Sequence, residues 1–491
     1  MTIVPQTAEI FQPQRWGLAE TAVTDLGERL HSFWSRFRNL LKTKTRDTSS
    51  QGHLYLRALL TMETDRNYAN ISRRILGVDA DGQPLQQFMS DSPWAAEPVF
   101  YRIQREISHR PELAGGVLIL DDSGNKRAGD KSAGAQRQYL GRLGKIDLGQ
   151  VGVVLSYYCQ TWAFLDLELY LPKAWFGEAY RAQREALHIP ADRRFRRKTK
   201  IGQEMIIGAR DRQVPFAVAV CDSAFGDSHW FRAKLHNEHI LYVADIKVHT
   251  RVYLEKPVIG IPPTPPGQRL GRRRSRRRVL SAAKPVLVAN ALPPESWQTL
   301  TLRPTERGLL MLPCAARRVW TVSQEGHWLE EWLLAYKKVD GTCHSSLSNA
   351  PLTTTLEQLA TWRSTRYFIE RTIEDAKSEI GWDELVARKY RAWMHHAALT
   401  ALAVWFAAEI KLDWAHDCPR DPALATQLQL PTLPALSTAN IRELLQAVLP
   451  LPQLSVSQAT SLVVKHLVNR TRSTRSRLKR QSLVNLVNWG T

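Results

Sequence analysis

Three acidic sites, far apart along the chain, have the residue types and the setting for metal-dependent phosphoryl transfer. Asp121 and Asp122 end the short apolar run VLILDD, and Asp222 ends a second apolar run, PFAVAVCD. Glu370 lies further downstream in RYFIERTIEDAKSEI, where apolar residues recur at helical spacing. Carboxylates from two strand ends and a helix can hold two hard cations about 3.5–4 Å apart, and Mg²⁺ or Mn²⁺ suits such ligands. We therefore predict a catalytic site that holds two Mg²⁺ (or Mn²⁺) ions through Asp222, Glu370 and one of the neighbours Asp121 and Asp122.

The adjacent Asp121 and Asp122 leave one question open. Side chains alternate between the two faces of a strand, so only one of this pair can be the primary ligand. An acidic residue at a strand end also serves as a turn former or a helix cap, and this alternative applies to Asp222 as well. The sequence therefore predicts the site but does not decide between the two neighbouring carboxylates.

The predicted helix around Glu370 also places two cations beside it. At about 100° per residue, Arg366 and Lys377 fall about 40° and about 20° from Glu370 around the helix axis. A carboxylate flanked in this way can hold a metal while the cations bind adjacent phosphates. A solvent-facing helix with ion pairs would show the same pattern. The two strand-end acidic sites favour the first interpretation.

The charge of the chain indicates a polyanionic partner. Lys and Arg number 67 against 47 Asp and Glu, which gives a net charge of +20. The excess is concentrated in three arginine-rich runs at residues 193–198, 271–278 and 469–480. Arginine suits forked contacts to phosphate, although solvated surface charge or an anionic membrane is the alternative for any single run. Three runs without matching acidic tracts favour DNA.

Composition argues against several other classes of protein. No apolar stretch approaches the roughly 20 residues that span a bilayer, and the N-terminal residues lack the layout of a secretory signal. The five cysteines are scattered and never spaced CxxC, which argues against a zinc ribbon or a disulfide framework. We expect a cytoplasmic protein without a membrane partner.

Two stretches are predicted to form one α/β core. Residues 113–250 contain five predicted strands, and residues 361–415 return to helical spacing. A three-strand meander followed by alternating helix and strand predicts a mixed five-stranded sheet in the order 3-2-1-4-5, flanked by helices. In this order the ends of the first and fourth strands are neighbours, which brings Asp122 and Asp222 side by side.

Three further regions surround this core. Residues 1–112 have helical patterns and are predicted to form an N-terminal DNA-binding domain, although they show no clear helix-turn-helix signature. Residues 251–360 are predicted to be a β-rich insertion with a loop at IPPTPPG and an Asp-Gly hairpin turn in VDGT. Residues 416–491 are predicted to be short helices with a basic tail that contacts DNA or a second subunit.

Taken together, the acidic blocks resemble those of bacterial insertion-sequence transposases of the DDE superfamily. LDDSGNKRAGDKSAGAQRQYLGRLGKIDLGQVGVVLSYY resembles the first block and CDSAFGDSHWFRAKL the second, while SLSNAPL followed by TRYFIERTIEDAKSEIGWDE resembles the third. The similar branch has a Tyr-x2-Arg-x3-Glu-x6-Lys signature and a β-strand insertion before the Glu. The resemblance spans about residues 55 to 408 and implies an RNase H-like core.

The resemblance also implies roles for individual residues. The metal-binding triad of the family corresponds in this chain to Asp122, Asp222 and Glu370. The signature Arg and Lys correspond to Arg366 and Lys377, which contact DNA near the cleaved end in the family. The signature Tyr position holds Arg363, which could replace its phosphate contact. This substitution is the main departure from the family pattern.

The activity that the resemblance implies is cut-and-paste DNA transposition. It would act on the terminal inverted repeats of an element and on target DNA, as a homodimer or a larger synaptic complex. In the family the cut ends often pass through a DNA hairpin, with a Trp of the insertion stabilising a flipped base. Two alternatives are a domesticated, catalytically inactive DNA-binding protein and an RNase H-like nuclease without strand transfer. The intact triad argues against the first, and the long insertion and basic tail argue against the second.

Overall fold

The structure is a computed structural model, and it describes residues 8–263, 275–305, 308–338, 340–430 and 432–487. Two features predicted from the sequence fall partly outside these residues. They are the loop at IPPTPPG from residue 264 onward and residues 271–274 of the second arginine-rich run.

The N-terminal region is helical, as predicted. Its helices are α1 (Glu20–Thr24), α2 (Leu26–Phe37), α3 (Ser49–Thr61), α4 (Tyr68–Leu76), α5 (Gln83–Ser90) and α6 (Glu97–Ser108). Buried apolar residues recur three or four positions apart, as in α2 at Leu26, Leu30, Phe33 and Phe37.

The core strands follow, interleaved with helices. They are β1 (Gly116–Lys126), β2 (Gln136–Leu140), β3 (Lys145–Cys159), β4 (Thr161–Leu169), α7 (Arg181–Ala186), α8 (Lys198–Asp211), β5 (Phe216–Cys221), α9 (Ser223–Gly226), α10 (His229–Asn237) and β6 (Tyr242–Ile246). β3 and β4 form the predicted hairpin, turning at Gln160 with φ of +57°. Their spatial order β4-β3-β1-β5-β6 confirms the predicted order 3-2-1-4-5. The short β2, which the sequence did not reveal, pairs with the start of β3.

The insertion is β-rich, as predicted, and its four longest strands extend the core sheet. Its strands are β7 (Arg251–Val252), β8 (Ile259–Gly260), β9 (Arg278–Val279), β10 (Val286–Leu287), β11 (Gln298–Thr305), β12 (Gly308–Val322), β13 (Trp328–Lys337) and β14 (Cys343–Ser348). β7 with β10 and β8 with β9 form two small two-stranded sheets. β14 pairs antiparallel with β6, and β13, β12 and β11 follow outward. The predicted five-stranded sheet is therefore one side of a ten-stranded sheet, which continues from β6 into the insertion.

The remaining chain is helical to the end of the described residues. It contains α11 (Leu356–Ser364), α12 (Tyr367–Glu374), α13 (Tyr390–Asp417), α14 (Ala423–Gln427), α15 (Thr438–Val448) and α16 (Val456–Val487). The chain predicted to be short helices and a basic tail is instead dominated by the 32-residue α16.

Helix α13 is the centre of the packing. Its sequence, which includes HHAALTALAVWFAA, is apolar on nearly every side, and it is buried along most of its 28 residues. It packs on β4 and also on α3, α5 and α6, so the N-terminal helices and the sheet share one hydrophobic core. Among the described residues, no helix is long and apolar enough to cross a membrane.

Candidate active site

A cleft of about 810 Å³ opens where β5 ends beside the middle of β1, and it contains five of the six predicted site residues. Asp121 and Asp122 lie within β1, which continues to Lys126, so the prediction that they end this strand was wrong. β1 and β5 are parallel neighbours, so their carboxyl ends lie at the same edge of the sheet. The residues that line the cleft include Asp121, Asp122, Asp222, Arg366, Glu370 and Lys377. The structure therefore brings together the predicted acids from two strands and a helix that lie far apart in the sequence.

The two adjacent aspartates of β1 face opposite sides of the sheet. Leu120 packs against α8 so closely that a Cβ at Gly202 would lie 2.4 Å from its Cδ2 atom. Asp122, two residues further along β1, faces the same side and forms a salt bridge of 2.7 Å with Lys198 at the start of α8. Asp121 faces the side of α12 and pairs with Arg366 at 3.3 Å.

Asp222 closes the cleft from the neighbouring strand. It follows β5 directly and caps α9, with its side chain accepting a hydrogen bond of 3.0 Å from the amide of Ala224. Burial raises its pKa, although Arg366 opposes the shift. Burial and the Asp222 carboxylate also raise the pKa of Asp121, to about 7. The carboxylates of Asp121 and Asp222 are thus buried close to each other, and a bound cation would favour their charged forms.

Arg366 supplies the internal countercharge of the cleft. Its guanidinium lies 3.3 Å from Asp121, 3.4 Å from Asp245 of β6 and 3.5 Å from Glu370. Burial alone would lower its pKa, but these carboxylates outweigh burial and raise it. Arg366 therefore stays charged between the β1 acid and the helix acid.

Glu370 and Lys377 lie on one side of the cleft, but not on one regular helix. α12 ends at Glu374, and Asp375–Glu379 form a turn of π-helix, which the sequence-based prediction of a continuous α-helix missed. The Glu370 side chain is 61% exposed, and Lys377 donates a hydrogen bond of 3.3 Å to the carbonyl of Gly124 in β1. π-Helical turns within helices are frequent at functional sites.

The buried carboxylate of Asp375 anchors this π-turn to the neighbouring elements. Asp375 accepts hydrogen bonds from the Trp162 indole (3.0 Å) and from the Thr438 hydroxyl of α15 (2.6 Å). Lys411 of α13 donates to the same hydroxyl at 2.9 Å, and burial lowers its pKa to about 8 although Asp375 opposes the shift. Sequence reasoning missed these residues, because helical spacing does not distinguish a buried Asp from an exposed one.

Arg363 lies outside the cleft. It donates two hydrogen bonds to Asp245, of 3.1 and 2.7 Å, and its guanidinium lies 4.1 Å from the ring centre of Tyr336. It lines a neighbouring, mostly apolar cavity of about 580 Å³. Asp245 thus links Arg363 to Arg366, a connection that no sequence motif indicated. The predicted contact of Arg363 with DNA stays a prediction.

Three cations of the first arginine-rich run form ion pairs within the protein. Arg193 and Arg196 both pair with Glu168 of β4, and Arg196 also pairs with Glu204 at 2.5 Å. Lys198 at its end is the partner of Asp122. These ion pairs position α8 against the sheet. The paired cations are therefore less available to bind phosphate than the sequence pattern suggested.

The donor chemistry of the cleft suits a divalent cation, although the side chains do not form a closed metal site. Six carboxylates line the cleft, including those of Asp122, Asp222 and Glu370, and they supply the hard oxygen ligands that Mg²⁺ and Mn²⁺ accept. Within the described part of the chain, no three His, Cys, Asp or Glu side chains are grouped closely enough to hold a metal ion. Metal binding would therefore require the Glu370 side chain to turn away from Arg366 toward the aspartates.

Comparison with known proteins agrees with this geometry. Residues 36–308 match the family model described as DDE superfamily endonuclease, a span that contains Asp122 and Asp222 and ends before Glu370. The chain is also 29% identical over 160 residues to the "Probable transposase for insertion sequence element IS701" of Microchaete diplosiphon. That alignment covers 32% of this chain and 37% of the relative. The family generally uses divalent metal ions. The chain belongs to the DDE superfamily endonucleases.

Proposed function

We propose that this protein is the transposase of an insertion sequence. It would bind the terminal inverted repeats of its element, cut the DNA strands and join them to target DNA. One observation carries the proposal: Asp122, Asp222 and Glu370 meet in a single cleft with Arg366 and Lys377. Membership of the DDE superfamily and the similarity to an insertion-sequence transposase support it.

The proposed metal ligands are Asp122, Asp222 and Glu370, with two Mg²⁺ or Mn²⁺ ions in each site. When bound, the ions would activate water or a 3′-hydroxyl and stabilise the leaving oxygen. Asp121 is the poorer ligand at neutral pH, because its raised pKa leaves it partly protonated. We assign to Asp121 the positioning of Arg366.

The cations of the cleft have separate proposed roles. Arg366 and Lys377 bind phosphates that flank the scissile bond, since both line the cleft beside Glu370. Arg363 positions Asp245, which in turn lies 3.4 Å from Arg366. Two protein molecules, each acting on one end of the element, would form the synaptic complex, at the nucleoid where the substrate lies.

The test is metal-dependent cleavage of duplexes that carry the element ends, with purified protein and its Asp222→Asn variant. We expect the variant to lose cleavage and strand joining while it binds the same duplex with an unchanged Kd. Asp211→Asn is the matched control, because Asp211 ends α8, is 57% exposed and pairs only locally with Arg210. Cleavage by Asp222→Asn at the rate of the control would refute the proposal.

The same assay separates the two neighbouring aspartates. Asp122→Asn is expected to abolish cleavage, whereas Asp121→Asn retains metal-dependent cleavage with a shifted pH profile. Loss of activity in Asp121→Asn alone would transfer the ligand role to Asp121. Products in which element ends are joined to target DNA would distinguish a transposase from a nuclease without strand transfer.

A further inference from the structure

The last described helix, α16, has an unusual charge distribution. It contains seven Lys and Arg residues and no Asp or Glu: Lys465, Arg470, Arg472, Arg475, Arg477, Lys479 and Arg480. At about 1.5 Å per residue its 32 residues extend roughly 48 Å. A helix of this kind lacks the i,i+4 pairs of opposite charge that stabilise an exposed helix in water.

The basic run of α16 differs from the run at residues 193–198 in its acidic partners. The arginines at 193 and 196 are paired with carboxylates of the sheet and of α8. In the described part of the chain, by contrast, the four arginines of α16 between residues 470 and 477 are exposed and have no acidic partner. Lys465 forms a salt bridge of 2.7 Å with Asp79, which lies between α4 and α5.

The four arginines lie on two flanks of the helix. At about 100° per residue, Arg470 and Arg477 are about 20° apart, while Arg472 and Arg475 are about 60° apart on the opposite flank. The strip between the flanks contains only uncharged residues: Thr471, Thr474 and Leu478. The two hydroxyls donate to backbone carbonyls of α16, at 2.9 and 3.0 Å, so that the threonine methyl groups face outward.

We propose that this half of α16 binds in the major groove of duplex DNA. The major groove is about 12 Å wide and admits an α-helix. Cations on both flanks would then meet the phosphates of both strands, and the uncharged strip would face the base edges. This inference rests on the proposed function, because it assigns a DNA-binding segment to that enzyme.

Charge complementarity favours DNA over a second copy of the chain on this face. Pairing two such helices would bring eight arginines together without a countercharge. Like charges three or four positions apart, such as Arg472 with Arg475, each destabilise the helix by about 0.2–0.5 kcal/mol. Phosphates would remove this repulsion, so DNA binding should also increase the stability of α16.

The experiment measures binding of a 30-base-pair duplex by fluorescence anisotropy, without divalent ions and in the Asp222→Asn background. The test variant replaces the four arginines at 470, 472, 475 and 477 by Gln, which retains helix propensity. Four phosphate contacts predict that the slope of log K against log salt falls by about 3–4. The Kd at 0.1 M salt should then rise on the order of 100- to 1000-fold.

Three controls make the result specific. Replacing the same four arginines by Lys should retain most of the salt slope. Four exposed cations elsewhere, replaced by Gln, should leave the slope within about one unit of the parent; they are Lys173, Arg181, Arg251 and Lys284. Circular dichroism checks that the variants stay folded.

Several outcomes would overturn the proposal. An unchanged salt slope in the Gln variant, or an equal loss in the control variant, would refute the assignment. Equal affinity for an RNA duplex would refute readout of the DNA major groove. A change of oligomeric state with unchanged DNA binding would assign α16 to self-association. Because binding is measured without catalysis, failure of the cleavage proposal would leave this result interpretable.

Discussion

Replacing Glu331 by Gln should destabilise the protein more than the same substitution at an exposed position. Glu331 is a buried charged residue at the contact between the insertion and the core. Its side chain is 0% exposed, and Arg232 of α10, at 3% exposure, pairs with it at 2.8 Å. The hydroxyls of Tyr242 (2.7 Å) and Thr321 (2.5 Å) donate to the same carboxylate. Arg232 also donates to the carbonyl of Gly226 at 2.5 Å, in the short helix that begins after Asp222.

The expected loss in the free energy of unfolding arises because an amide cannot accept all the hydrogen bonds that the carboxylate accepts. A glutamine at this position would present one oxygen where the carboxylate accepts hydrogen bonds from three residues, and Arg232 would become a buried charge without a countercharge. Breaking a buried ion pair from one side costs about 3–5 kcal/mol. Removing only one hydroxyl, in Tyr242→Phe, should cost about 1.5–3 kcal/mol, the range for a hydrogen bond to a charged group.

The neighbouring residue provides a matched control. Glu330 points to the other face of β13, is 38% exposed and pairs with Arg318 at 3.1 Å. Glu330→Gln should therefore change the free energy of unfolding by about 0–1 kcal/mol. Urea unfolding at pH 7, followed by tryptophan fluorescence, measures all three variants. Equal losses for Glu330→Gln and Glu331→Gln would refute the assignment of the buried pair as the link between insertion and core.

Three further predictions test other parts of the structure. Thr438→Val removes the hydroxyl that donates to Asp375, and it should cost about 1.5–3 kcal/mol in urea unfolding and reduce cleavage, because the π-turn beside the cleft loses an anchor; a stable, fully active variant would contradict this. Burial raises the pKa of Asp166 to about 7, so the folded state keeps a proton that the unfolded chain releases near pH 4. Stability should then fall as pH rises from about 4 to about 7, by a few kcal/mol at most, and Asp166→Asn should flatten this decline in Tm; equal pH profiles would exclude the effect. Gly202→Ala would place a Cβ 2.4 Å from Leu120, and the resulting displacement of α8 should cost about 1–3 kcal/mol, measured by thermal unfolding; an unchanged Tm would show that Leu120 adapts.

The sequence predicted those parts of the fold that depend on local pattern. Residues close in the chain determine buried runs such as FAVAVC and the hairpin at Gln160. The order of the five core strands follows from the rules that govern connections between strands. The pairing of β6 with β14 joins residues about 100 positions apart, for which no local pattern exists. The sequence therefore predicted only half of the strands that belong to this sheet.

In the site, too, local features were predicted and long-range contacts were not. The sequence predicted which acids converge and that Asp121 and Asp122 face opposite sides of β1, but not that α12 covers the side of Asp121 and α8 the side of Asp122. The π-turn after Glu374 was missed because a single repeat of 100° per residue assumes a regular helix. Arg193 was assigned to a phosphate-binding run because its carboxylate partner lies on a distant strand. Long-range pairing thus accounts for most of the differences.

The shared sheet has a consequence for any attempt to trim or exchange the insertion. β6 is bonded on one side to β5, which leads into Asp222, and on the other side to β14. Excising the insertion would turn β6 into an open edge, whose unpaired backbone groups recruit strands from other molecules. A minimal catalytic core cut at residues 251 and 360 should therefore aggregate, whereas one that keeps β11 to β14 retains the native edge of the sheet and should remain in solution.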